Sequence, residues 1–499
     1  MRVVVALAVA SLLLLGSVAS AQEGSSPSVP EGERELFHLA QELFRRGAYG
    51  RSLPFLRAYL ERFPEGKGAE EASYMLADGH YFIAQSGVPE AFTKAVDAYK
   101  RALLRFPSSS HSPRAYLYQG RSYQALGLHA EALASFRSLL ERAPQSAHAP
   151  AAQLEVGHYY FTIGDWNQAI LEYERVLDRH PRSPAAADAF FGIAGAYFKK
   201  GHYRRARLRY EQGKKRWPHY LKLRPRALFH YGETLYQLHE ARAAERVFLE
   251  LINVYPSEEF IHRALARLGD IYRDAGKIRE ALKIYSETVS SFGDKEGALV
   301  SRIRMAELGS KEKLADLSDF IFDMSAYLDP LSAYSYVARA KPDSPLAQIA
   351  SFKSALLKLQ RGRAAEAVEL LKGFVKRYPQ SPLIENAQEA LAKAYIKRVE
   401  ERFLREDYLG ATRAYEDYLA AVPGVRDARL RFEALLQVAE SYIRLGFHRR
   451  ALPYLEEVLS SPRGRLHFAE RAIALLVGAH LLTGESKKAA LLAETFLKR

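Results

Sequence analysis

The chain has 499 residues, 48% of them hydrophobic and 26% charged, a formal net charge of +14 at neutral pH, and no cysteine. That much apolar material excludes a disordered chain. The missing thiol excludes disulfides, zinc-thiolate sites and a lipid-accepting cysteine.

The N-terminus reads as an export signal. Arg2 is followed by a mostly apolar stretch from Val3 to Leu15, and Ala19-Ser20-Ala21 is a small-x-small cleavage site. An uncleaved anchor is the alternative, but Gly16 interrupts the run well short of the roughly 20 residues a span needs. No later segment approaches a span. We therefore expect a signal peptide over 1–21, a Ser/Pro/Gly linker over 22–32, and a mature protein that is periplasmic or secreted.

From residue 33 onward the chain repeats. Pro64, Pro107, Pro144, Pro181, Pro218, Pro256, Gly293, Pro330, Pro379, Pro423 and Pro462 mark successive unit ends, and from Pro107 to Pro330 the steps are 37 or 38 residues. Within the units a second mark recurs: Gly47, Gly127, Gly164, Gly201, Gly276 and Gly446 each separate two helical patterns. In the unit beginning at Pro184, Phe190, Ile193, Ala194 and Tyr197 share one helix face, and Ala206, Tyr210 and Gly213 share a face of the next helix. The preceding units hold Gly157 and Tyr160, then Ala169, Tyr173 and Val176; before them come Gly120 and Tyr123, then Ala132, Phe136 and Leu139. Small residues at fixed offsets let helices approach, and large ones fill the space beside them.

This pattern resembles the tetratricopeptide repeat, whose signature places here read Phe190, Ile193-Ala194, Tyr197, Gly201-His202-Tyr203, Ala206, Tyr210, Gly213 and Pro218. The resemblance spans most of 33–499 and implies an all-α, right-handed solenoid of about twelve helix hairpins. The period exceeds the family's commonest 34, and the extra residues form endings such as Phe106-Pro107-Ser108-Ser109 and Tyr378-Pro379-Gln380-Ser381. Those endings resemble the bacterial cell-envelope branch, which includes the outer-membrane assembly lipoprotein and the Tol–Pal coordinator protein. The pattern weakens over 298–344, where Lys313, Ser318 and Ser325 stand at places usually small. That stretch is either a joint between arrays at 33–297 and 345–499 or a drifted repeat.

Nothing in the sequence assembles a catalytic set or a cofactor site. There is no Gly-x-Ser-x-Gly, phosphate loop or His-Glu-x-x-His; His202, His239 and His448 fall at inter-helix turns without zinc-ligand spacing. We expect neither an enzyme nor a resident cofactor or metal.

The family resemblance implies that the first helix of each unit lines a concave groove. Carried over residue by residue, this places Arg121, Gln124, His158, Phe161, Phe191, Phe198, Glu233, Tyr236, Asp270 and Arg273 on it. An aromatic middle with polar edges suits an apolar anchor within a polar rim; the alternative is that Phe161, Phe191 and Phe198 pack between helices. Residues 199–226 carry a basic cluster that includes Arg204, Arg205, Arg207, Arg209, Lys214, Lys215 and Arg216, with Glu211 as its one acid. Such a cluster attracts phosphate or carboxylate groups, unless it is only a solvated face. The expected function is a non-enzymatic scaffold holding a peptide or helix of an envelope protein in the groove. The alternative is binding of an anionic cell-wall or lipopolysaccharide polymer through the cluster. Export disfavours nucleic acid as a partner.

Overall fold

The computed structural model describes residues 32–309, 329–421 and 428–497, which contain 24 α-helices, one short 3-10 turn and no strand. The expected signal peptide, the linker before Gly32, the positions Lys313, Ser318 and Ser325, and Pro423 lie outside the described residues. Two compact units are present, one up to Thr234 and the other from Leu235. Each is a stack of antiparallel helix hairpins. No helix among the described residues is long and apolar enough to cross a membrane.

The hairpin of Ala185–Lys199 and Tyr203–Arg216 shows how the sequence writes the fold. The first helix ends where the N–H of Gly201 donates to the Phe198 carbonyl and that of His202 to the Tyr197 carbonyl, both at 2.9 Å. Gly201 meets that geometry with φ +73°, a conformation that costs a residue with a Cβ but not glycine. His239 and Glu406, both at φ 59°, take the same kind of turn without glycine. The second helix ends where the Trp217 N–H bonds the Gly213 carbonyl, because Pro218 has no donor to continue the ladder.

The small–large alternation is the packing itself. A Cβ built on Gly157 would lie 2.4 Å from the Tyr173 ring; on Gly120 it would lie 2.4 Å from Phe136, and on Gly269 2.4 Å from Tyr285. All three rings are fully buried. The glycine on one helix is the space that the ring on the other fills. Burying such a ring contributes about 2–3 kcal/mol, so these pairs are the main clamps within each hairpin.

The residues that lengthen the period form the turn between hairpins. The Ser146 N–H donates to the Ala143 carbonyl and the Ala149 N–H to the Ser146 carbonyl, both at 3.0 Å. The Ser146 hydroxyl accepts from His148 N–H, as Ser109 does from His111 and Ser381 from Leu383. Serine after proline thus closes a tight turn before the next helix.

Two of the expected unit ends are instead helix beginnings. Pro330 opens Pro330–Ala340 behind the cap residue Asp329, and Pro462 opens Pro462–Leu482. Proline suits the first helical position because its missing donor is not needed there. Across the weak stretch, Leu299, Ile303 and Ala306 of Glu296–Gly309 share one core with Ala333, Tyr334, Val337 and Ala350.

Candidate functional site

The first helices of the third, fourth and fifth hairpins, Ser112–Ala125, Ala149–Thr162 and Ala185–Lys199, carry most of the predicted groove residues. Helical spacing puts Arg121 and Gln124 on one face, and His158 and Phe161 on the corresponding face of the next helix. The structure brings the first three together on a residue that the sequence reading passed over. Glu155 accepts from Arg121 Nε at 3.2 Å and from Gln124 Nε2 at 3.3 Å, and lies 3.4 Å from His158 Nδ1. Burial alone would raise its carboxyl pKa, but His158, Arg121 and Gln124 outweigh burial and hold it below the usual carboxylate range. Beyond Arg121, Tyr81 stacks on Tyr118 with ring centroids 4.5 Å apart. Extending the predicted stripe one turn back would have found both Tyr118 and Glu155.

Beside Gln124 and His158 a pocket of about 140 Å³ opens, lined also by His129, Leu133, Phe136, Thr162 and Ile163. Ile163 is 57% exposed at its mouth and Phe136 is buried at its back. Its walls are mostly apolar, and its size suits one side chain rather than a cofactor.

The aromatic middle of the expected groove divides. Phe161 is half-buried and rests against Gly195, whose added Cβ would meet the ring at 3.6 Å. Phe198 is half-buried and stacks on His230 at 4.9 Å. Phe191 is not on the groove. It is 3% exposed and stacks on Tyr220 at 4.1 Å, above Gly213, where an added Cβ would sit 2.6 Å from its ring. A helix face says which residues point one way; the glycine opposite decides how deep each one sinks.

Glu233 is likewise buried, at 8% exposure. In the second unit Tyr236 lies under the Arg267 guanidinium at 4.8 Å, and its hydroxyl reaches Asp274 at 3.4 Å. Asp270 is fully buried rather than groove-lining. It accepts from the Tyr285 hydroxyl at 2.8 Å, from Arg304 Nε at 3.0 Å and from Arg267 at 3.1 Å, and pairs with Arg273 at 3.0 Å. Burial, then the Asp270 charge, pushes the Tyr285 hydroxyl well above its ordinary pKa. Asp270 therefore acts as a clamp: Arg304 comes from the next hairpin, 34 residues on. Arg121–Glu155 has the same separation, and Asp78, 4% exposed, pairs with Arg114 of its neighbour at 2.7 Å.

The basic cluster stands on the second helix Tyr203–Arg216 and the turn after it. Arg204, Arg205, Arg207, Lys214, Lys215 and Arg216 are exposed, and Arg209 is half-buried. Their neighbours are mainly rings: Arg205 over Tyr197 at 5.8 Å, Arg209 over Phe190 at 5.3 Å, Lys214 over Tyr231 at 4.9 Å, Arg216 over Trp217 at 4.5 Å. Glu211 pairs with Lys214 at 3.7 Å and accepts from the Tyr231 hydroxyl.

Residues 115–303 match a family model described as outer membrane lipoprotein, and residues 350–381 match one described as tetratricopeptide repeat. No curated protein matches the chain. Among solved structures, a tetratricopeptide repeat protein from Parabacteroides merdae is 16% identical with a TM-score of 0.38, covering 56% of this chain and 98% of that one. PilW, a type IV pilus biogenesis factor, is 17% identical with a TM-score of 0.38, covering 46% and 97%. The pilF protein of Pseudomonas aeruginosa is 20% identical with a TM-score of 0.37, covering 48% and 96%.

Proposed function

We infer that this tetratricopeptide-repeat protein, an interaction scaffold, holds a segment of an envelope protein against the first-helix face of its first unit. The observation that carries the reading is the apolar pocket between Gln124 and His158, bordered by the Arg121–Glu155–His158 cluster. A small dry socket beside polar groups is what an extended peptide or helix needs to anchor one side chain and set its register. Arg121 and His158 remain partly exposed, so they can also meet the partner's backbone or an acidic side chain.

The export signal expected at 1–21 and the outer-membrane-lipoprotein match over 115–303 support an envelope setting in the periplasm. With no cysteine for a lipid, such a chain would reach the membrane surface through contacts rather than a covalent anchor.

A photoreactive residue at Ile163 tests this in cells. Crosslinks to a defined segment of one envelope protein, lost when Phe161→Ala and Phe198→Ala are combined with a blocking His158→Trp, are the expected result. An identical crosslinking pattern from a probe at Arg175, on a second helix, would remove the groove from consideration.

A further inference from the structure

The helix Tyr203–Arg216 has a surface that the groove does not use. Ala206, Tyr210 and Gly213 are buried, which turns Arg204, Leu208 and Lys215 directly outward at the four- and seven-residue spacing of one helical stripe. Glu211 also falls on that stripe but is engaged by Lys214 and Tyr231. Leu208 is 58% exposed between cations. One repeat earlier, on Trp166–Arg179, Leu171 occupies the matching position and is 42% exposed, but its stripe carries Glu174 and Asp178 rather than cations, so the basic face belongs to Tyr203–Arg216. The turn that follows adds Lys222, Arg224 and Arg226, and Leu223 at 67% exposure.

Lys214 faces Glu211 and Arg224 pairs with Asp188 at 3.5 Å, whereas Arg205, Arg209 and Arg216 face rings. A ring attracts a guanidinium through its quadrupole without cancelling it, whereas a carboxylate does cancel it. Arg205, Arg209 and Arg216 are steadied on Tyr197, Phe190 and Trp217, so these three guanidiniums are held in place by rings rather than by carboxylates. A soluble polyanion would need only the charges. Leu208 and Leu223, set outward among them, fit a surface with phosphates above and hydrocarbon beneath.

We propose that this face docks onto the anionic surface of a lipid bilayer, its arginines and lysines on headgroup phosphates and Leu208 at the acyl boundary. The contact is electrostatic in reach and shallow in depth.

The test uses the full chain carrying Trp166→Phe, which leaves Trp217 as the single tryptophan, beside Arg216 and 5.4 Å from Phe190. Vesicles of phosphatidylglycerol with bromines near the headgroup end of the acyl chains should quench Trp217, and brominated phosphatidylcholine should not. Replacing Arg204, Arg205 and Lys215 by alanine should weaken binding on the order of a hundredfold, at roughly fivefold per basic residue. Leu208→Ser should cost about fivefold more, and Leu419→Ser, at an equally exposed leucine of Tyr408–Ala421 in the second unit, should change nothing. Circular dichroism confirms that each variant is folded. Equal quenching by phosphatidylcholine, no quenching, or an unaffected triple variant overturns the proposal. So does a soluble polyphosphate that binds as tightly and is indifferent to Leu208→Ser, which would make the occupant a soluble polyanion.

Discussion

Arginines are abundant both around Asp270 and along Tyr203–Arg216, and the two regions handle them in opposite ways. Around Asp270 three guanidiniums close on one buried carboxylate, Arg267 and Arg273 from its own helix and Arg304 from the next hairpin, which the pair ties to it. Along Tyr203–Arg216 the guanidiniums of Arg205, Arg209 and Arg216 rest on Tyr197, Phe190 and Trp217, where a ring rather than a carboxylate holds them. Equal numbers of a residue type therefore say little about its role; the group facing it decides.

The sharpest way to break this contrast is Asp270→Ala. It takes the acceptor from the Tyr285 hydroxyl and the shared carboxylate from three arginines, of which Arg273 keeps Asp274 and Arg304 keeps Glu307, and should cost about 3–5 kcal/mol in urea unfolding of the second unit. A loss under 1 kcal/mol would mean that the cluster is not a clamp.

A third kind of partner sharpens it. His80 is buried at 6% exposure and its Nε2 faces the Arg57 guanidinium at 3.3 Å. Burial first, then Arg57, Lys94 and Arg101, holds its pKa down to about 4. His262, also buried, is lowered as well, by burial first and then Arg263, with Nδ1 accepting from the Gly297 N–H at 2.9 Å. The folded state refuses a proton that the unfolded state takes up below about pH 6.5. Stability should therefore fall as pH drops from about 6.5 toward 4, by up to about 3 kcal/mol for His80. Denaturation midpoints across that range measure it, and His80→Gln should flatten part of the slope.

Gly157→Ala probes the packing on which both regions rest. Its new methyl would need Tyr173 to move, and a cost of about 1–3 kcal/mol is expected. A thermal melt unchanged within a degree would contradict that contact. The smallest effect belongs to Arg205→Ala: losing one exposed cation from the Tyr197 face should change stability by no more than about 0.5–1 kcal/mol.

The hairpins were legible because their determinants are local. Gly157 and Tyr173 are 16 residues apart, within a single unit, and the spacing alone pairs them. Depth was less legible. Phe191 and Phe198 share a helix face, yet one is buried because Gly213 lies opposite and the other is not. Pairing between hairpins was missed altogether. Asp270 read as a groove residue because helical period cannot show what the neighbouring hairpin brings over it. A cue was present: an acid with a base about one period away, as in Arg121 with Glu155 and Asp270 with Arg304.

Those cross-period pairs also give the stack an address system. The glycine–ring clamps are alike from hairpin to hairpin and would tolerate any order. Yet the acid of Asp270 must meet the base of Arg304, and the base of Arg121 the acid of Glu155. Moving or duplicating a module would part such an acid from its base at the new borders, so hairpins that are near-copies are still not freely interchangeable.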